Sequence, residues 1–235
     1  MLPSRSRLES WNPDALRFTG PAVRSAGESV EEAVDRVKAN LAVMPETKAW
    51  QGPAHDAASE MFDRAHRSSA QFSDYTGAIA KALEAGADRI GAARKALLDK
   101  ADEVDRGPLN VTEGWVVLID PGSQSAEEIS QLMSLVATEQ AAVNELLLAV
   151  GDADTATADG VMAAAKPFGF TPPGGGLPGL MVPGAQRPAD DVPNPRDPLG
   201  LFQQNVVRGE EMGTRWMRSR RSEPERNTVV LHWAP

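Results

Sequence analysis

The chain contains no cysteine, which removes disulfides and thiolate metal sites and is compatible with export without demonstrating it. It also lacks any apolar run near the roughly 20 residues of a membrane span, and its N-terminus has no hydrophobic signal-peptide core. Departure from the cytoplasm would therefore need a route other than the general signal-peptide one. Basic excess is missing: the net charge is -9 and the pI about 4.9, which excludes nucleic acid or an anionic membrane surface as the main partner. Aromatic residues make up only 5%, while alanine is abundant in the helical stretches. That composition suits thin, closely packed helices better than a thick globular core. Phosphate-binding Gly-x-x-x-x-Gly-Lys and nucleophile-elbow Gly-x-Ser-x-Gly strings are absent as well.

Two long periodic stretches are present, on either side of Lys48-Ala49-Trp50-Gln51-Gly52-Pro53. Upstream, Val23, Ala26, Val30, Val34, Val37, Leu41 and Met44 recur at alternating three- and four-residue steps. Downstream, Ala54, Ala58, Met61, Ala65, Ser68, Phe72, Tyr75, Ile79 and Leu83 do the same. Such spacing places side chains on one stripe of a helix. Two stripes joined by a short turn are expected to cover each other as an antiparallel hairpin. Gly52 permits backbone angles closed to other residues, Pro53 suits a first helical turn, and Trp50 is available as an apolar plug for the open end.

Taken in order, residues 1–12 read as a polar lead anchored by Leu8 and Trp11, with Asn12-Pro13 as a helix start. Gly20-Pro21 should break that helix, leaving a first long helix from Pro21 to about Met44. The second should run from Pro53 to about Asp105, stopped by Gly107-Pro108. Val116 to Ile119 reads as an extended segment without a strand to pair with, held on the helices by Trp115. Ser125 and Glu128 form a capping box before a third helix. Its seam is Ile129, Leu132, Val136, Gln140, Val143, Leu147 and Val150, and it either continues to Lys166 or breaks at Gly151. Half of the 18 prolines fall between Pro167 and Pro198, with Gly174-Gly175-Gly176 among them, a linker or disordered composition. Beyond it, 199–216 suits a short amphipathic helix, then a basic cluster (Arg215, Arg218, Arg220, Arg221) and a strand over 228–233. The expected fold class is all-α: a hairpin extended to an elongated three- or four-helix bundle over 1–166, a Pro/Gly-rich linker over 167–198 and a short tail over 199–235.

Chemistry is sparse. His55 and His66 fall on nearly one face of the second helix but about 16 Å apart at 1.5 Å per residue, too far to share a metal. The acidic residues around Gly151 and Gly160 fail the EF-hand pattern, since Ala156 and Ala163 stand where ligands are needed. Glu31-Glu32 and Glu127-Glu128 read as solvated faces. The arginine cluster reads as a solubilising tail, with contact to a phosphate or an acidic partner as the alternative. No catalytic, metal or cofactor site is expected, and the chain reads as a non-enzyme.

A helix, a Trp-x-Gly turn at Trp50 and Gly52 and a second helix within about a hundred residues resemble the Trp-x-Gly (WXG, ESX-like) superfamily of type VII secretion substrates. The third helix and the Pro/Gly-rich region are similar to its longer actinobacterial members. The resemblance implies export without a cleaved signal peptide, from the cytoplasm to the cell envelope or medium. It also implies a helical protein partner or secretion chaperone, in a homo- or hetero-oligomer. Trp50 and Gly52 carry over as structural or docking residues. A Tyr-x-x-x-Asp/Glu export signal does not: Tyr75 lies mid-helix, with Ile79 four residues on. A partner would supply that signal, or the module is not itself exported. The leading reading is a secretion-associated interaction module. The alternatives are the delivery portion of a toxin or effector whose catalytic domain lies past Pro235, and a cytoplasmic helical scaffold.

Overall fold

A computed structural model describes residues 2–45, 49–120, 126–169 and 192–221. Five helices account for most of them: α1 (Arg5–Ser10), α2 (Asp14–Val43), α3 (Pro53–Asp105), α4 (Ala126–Ala165) and α5 (Pro198–Arg221). Two three-residue strands, β1 (Leu109–Val111) and β2 (Val117–Ile119), and a 3-10 turn, Lys166–Phe168, complete the order. The chain forms two compact units. One comprises 11–93 with 152–186, the other 1–10, 94–151 and 187–235.

In the first unit α2 and α3 form the antiparallel hairpin. Arg17 pairs with Asp88, Arg24 with Glu84 at 3.0 Å, Asp35 with His66 at 2.7 Å and Lys38 with Asp63 at 2.8 Å. Partner numbers fall on α3 as they rise on α2, so the helices run in opposite directions. Exposed ion pairs add little stability, but they fix this register. Pro21 lies inside α2, contrary to the expected break. The preceding residue is glycine, and without a Cβ it escapes the clash with the proline ring that pushes other residues out of helical geometry. Gly20 also lets the backbones approach, since a Cβ there would sit 3.0 Å from the Ala80 carbonyl. At Gly27 a Cβ would fall inside the side chain of Thr76.

The covered stripe of α2 is therefore Gly20, Arg24, Gly27, Glu31, Val34, Lys38 and Leu41. On α3 it includes Phe62, His66, Ser69, Ser73, Thr76 and Ala80. This corrects the expectation that the apolar stripes cover each other along their length: Val34 and Leu41 lie in the seam, but Ala26, Val30 and Val37 on α2 and Met61, Ala65, Ser68 and Phe72 on α3 each stand one residue before a covered position. Toward Gly20, small and polar residues (Gly20, Gly27, Ser69 and Thr76) hold the seam at a close backbone spacing, while Val34, Leu41 and Phe62 fill it toward the turn.

In the second unit, β2 has the partner that the sequence did not reveal. Leu109 pairs antiparallel with Ile119, Asn110 with Leu118 and Val111 with Val117. The connecting turn is closed by Thr112 N–H to the Val116 carbonyl at 2.9 Å and Trp115 N–H to the Thr112 carbonyl at 3.0 Å. Trp115 takes a left-handed φ of 62° and is fully buried, donating from Nε1 to the Pro3 carbonyl at 2.7 Å. The lead segment is thus structural. Its six-residue helix α1 buries Leu8, and Glu113 accepts from the Ser6 N–H at 2.8 Å while its carbonyl takes the Arg5 N–H at 3.0 Å. Arg5 bridges Asp102 and Asp105, at 3.0 and 2.7 Å.

The third-helix seam holds at Val136, Gln140, Val143, Leu147 and Val150, all buried, whereas Ile129 is exposed. Helix α4 runs unbroken through Gly151, whose missing side chain admits Leu2. Helix α5 belongs to the same unit: Gln204 is buried against Asn144, and Arg208 reaches the Val117 carbonyl at 3.3 Å and Gln140 Oε1 at 2.6 Å. Burial holds the Arg208 pKa below its ordinary value. Ser125, the glycine triplet, most of the proline-rich stretch, the arginine side chains at 215–221 and the strand expected over 228–233 lie outside the described residues.

Candidate partner-docking face

The apolar stripes that do not meet each other lie side by side. Both are displaced from the covered stripe by one residue in the same rotational sense. In an antiparallel pair, equal rotations turn both stripes to one side of the hairpin. That face presents Ala26, Val30, Ala33 and Val37 from α2 and Met61, Ala65, Ser68 and Phe72 from α3, every one exposed. None of these side chains is charged, and the exposed Arg64, three residues after Met61 at the outer edge of the α3 stripe, pairs with Glu60 at 3.7 Å. The opposite side carries Glu28, Glu32, Asp35, Asp56 and Asp63.

Toward the far end of the hairpin the same α3 stripe is covered. Thr157 of α4 packs on Gly86, where a Cβ would collide with it, and Phe168 meets the Tyr75 ring edge-on at 5.2 Å. Helix α4 ends at that level. Phe72, Tyr75, Phe168, Pro167 and Gln71 line a cleft of about 420 Å³ there. Phe168 was not a sequence-level candidate, because nothing before folding links it to a residue 93 positions away.

At the turn, Gly52 adopts a φ of 109°, a left-handed conformation suited to glycine. Its carbonyl accepts from the His55 N–H at 2.9 Å, starting α3. Trp50 is 43% exposed and meets His55 edge-on at 5.7 Å. It does not plug the hairpin; with Leu41, Ala58 and Phe62 it lines an open cavity of about 480 Å³. Replacing Trp50 by alanine should therefore cost no more than about 1–2 kcal/mol, well below the truncation of a buried indole. Urea denaturation followed by circular dichroism measures it. His66 pairs with Asp35, and among the described residues no cluster of His, Cys, Asp or Glu could hold a metal ion.

Residues 10–95 match the WXG100 family, described as proteins of 100 residues with WXG. The hairpin is a WXG100 module. The match spans α2, the Trp50-Gln51-Gly52 turn and most of α3, and it supports a type VII secretion-associated helical protein. WXG100 proteins are non-enzymatic, are exported without a signal peptide and typically pair with helical partners. Comparison with curated proteins and with solved structures gave no match. Among the described residues, no helix is long and apolar enough to cross a membrane.

Proposed function

We propose that the chain is a non-enzymatic interaction module of a type VII secretion system, which docks a helical partner on the uncharged face of its WXG100 hairpin. The carrying observation is that face: exposed Val30, Val37, Met61 and Phe72 on two adjacent helices, with no charged side chain among them. A contiguous apolar surface of this kind marks a contact site on a soluble protein. A helix laid along the face would bury Val30, Val37, Met61 and Phe72 at three- and four-residue steps. Gly52 shapes the turn, and Trp50 lines the open cavity at the hairpin end. Export takes the protein to the cell envelope or the medium by the signal-peptide-independent route.

Fractionation of the native host, with and without a functional type VII system, tests this. Export should vanish with the system, and should also vanish in a folded Met61→Glu, Phe72→Glu variant. An identical distribution in both hosts would refute the secretion role. Normal export of the double variant would refute the face.

A further inference from the structure

We infer that helix α5 binds the surface of an anionic lipid bilayer, with its apolar half in the headgroup layer and its arginines supplying the attraction to the lipid phosphates. The contact is separate from the hairpin, since α5 falls outside the matched residues 10–95, and it goes beyond the function proposed above.

Helix α5 sits on its unit with the polar side down. A surface helix ordinarily turns its apolar stripe inward and its charges to water. Here Gln204 is buried against Asn144, and the half-buried Arg208 bonds to Gln140 and to the Val117 carbonyl. Gly200, Val207 and Glu211 turn inward with them. Of these five, Val207 alone has an apolar side chain. On the outer side Leu199, Leu201, Phe202 and Val206 are exposed, by 60%, 42%, 64% and 40%. A period of 3.6 residues puts positions 216 and 217, Trp and Met, on the same half of the helix. The other half carries Arg208 and positions 215, 218 and 221, all arginine.

An apolar half with Phe, Leu and Trp against an arginine-bearing half is the pattern of a helix that lies in the plane of a bilayer surface. Charge distinguishes this partner from a protein groove. The five arginines of α5 against Glu210 and Glu211 give +3, so the rest of a chain of net charge -9 carries -12. That acidic remainder keeps an anionic bilayer from being the main partner of the whole chain, and it leaves the attraction to this one helix. A groove would take the apolar stripe alone; the concentrated arginines select a surface dense in negative charge. Binding needs no rearrangement, because the stripe already faces outward while Gln204 and Arg208 keep their partners.

Flotation of the full chain with vesicles tests this. The protein should float with phosphatidylcholine vesicles containing an equal amount of phosphatidylglycerol, and not with phosphatidylcholine alone. Binding should weaken as salt is raised. Phe202→Glu should abolish flotation at unchanged helicity, since the ring is exposed. Arg218→Gln combined with Arg221→Gln should weaken binding about 25-fold, near fivefold for each arginine. Met61→Glu, on the hairpin, should float like wild type, which separates this contact from the docking face. Failure to float with the anionic vesicles would overturn the inference, as would flotation of Phe202→Glu or equal binding to phosphatidylcholine alone. A dimer that fails to float and that Phe202→Glu splits in light scattering would give the stripe to a second copy instead.

Discussion

Replacing Trp115 by alanine should lower the stability of the protein by about 3–5 kcal/mol, the range for truncating a buried aromatic. The side chain is fully buried, and it joins segments that nothing else brings together. Its indole N–H donates to the carbonyl of Pro3, 112 residues away in sequence, at 2.7 Å. Truncation leaves a cavity and also strips that carbonyl of its donor. A loss of this size compares with a total of 5–15 kcal/mol for a typical domain, so the denaturant midpoint should fall steeply. Trp115→Phe keeps an aromatic ring but loses the five-membered part of the indole with its N–H, and should cost about 1–2 kcal/mol for the unpaired carbonyl in addition to the lost buried volume. A midpoint within about 0.5 kcal/mol of wild type for Trp115→Ala would show that the lead segment does not depend on this residue.

The second large effect is expected at Gln140. Its Oε1 accepts from the Val117 N–H at 2.9 Å and from Arg208 at 2.6 Å, and its Nε2 donates to the Trp115 carbonyl at 2.9 Å. One amide thus satisfies the β-hairpin backbone and seats α5. Gln140→Leu preserves the volume but strands all three groups. It should cost about 2–4 kcal/mol, since each buried unpaired polar group is worth about 1–3 and they do not add fully. Gln140→Glu should cost less, because a carboxylate can still accept from Val117 and offers Arg208 an opposite charge. Thermal melts of the two variants settle the order, and leucine as stable as glutamate would refute the network.

The ends of α3 were legible because Pro53 and Gly107-Pro108 are punctuation that acts locally. The α4 stripe from Val136 to Val150 was legible because its apolar period coincides with the buried face. The hairpin direction followed from its short turn, but the side its apolar residues face did not. Periodicity locates a stripe and is silent about which neighbour covers it, and here Gly20, Gly27, Ser69 and Thr76 hold the seam instead. β1 was missed because three residues carry too little alternation to register. Gln140 read as one more seam residue, since its partners lie 23, 25 and 68 positions away. Trp50 and Gly52 stood out from the string alone, yet the face beside them needed the three-dimensional arrangement of both helices.

The Gln140–Arg208 contact also imposes an order in time. The hairpin of α2 and α3 closes on pairs such as Asp35 with His66, 31 positions apart, so it can zip as soon as α3 has emerged from the ribosome. The unit that includes β1, β2 and the first part of α4 needs Gln204 and Arg208, which come near the end of translation. Contacts of that span close slowly. During synthesis, therefore, the WXG100 hairpin is available to bind before the rest of the chain has finished folding. A nascent chain stalled before residue 192 would carry a formed hairpin beside an unfinished β-hairpin, whose Gln140 still waits for its arginine.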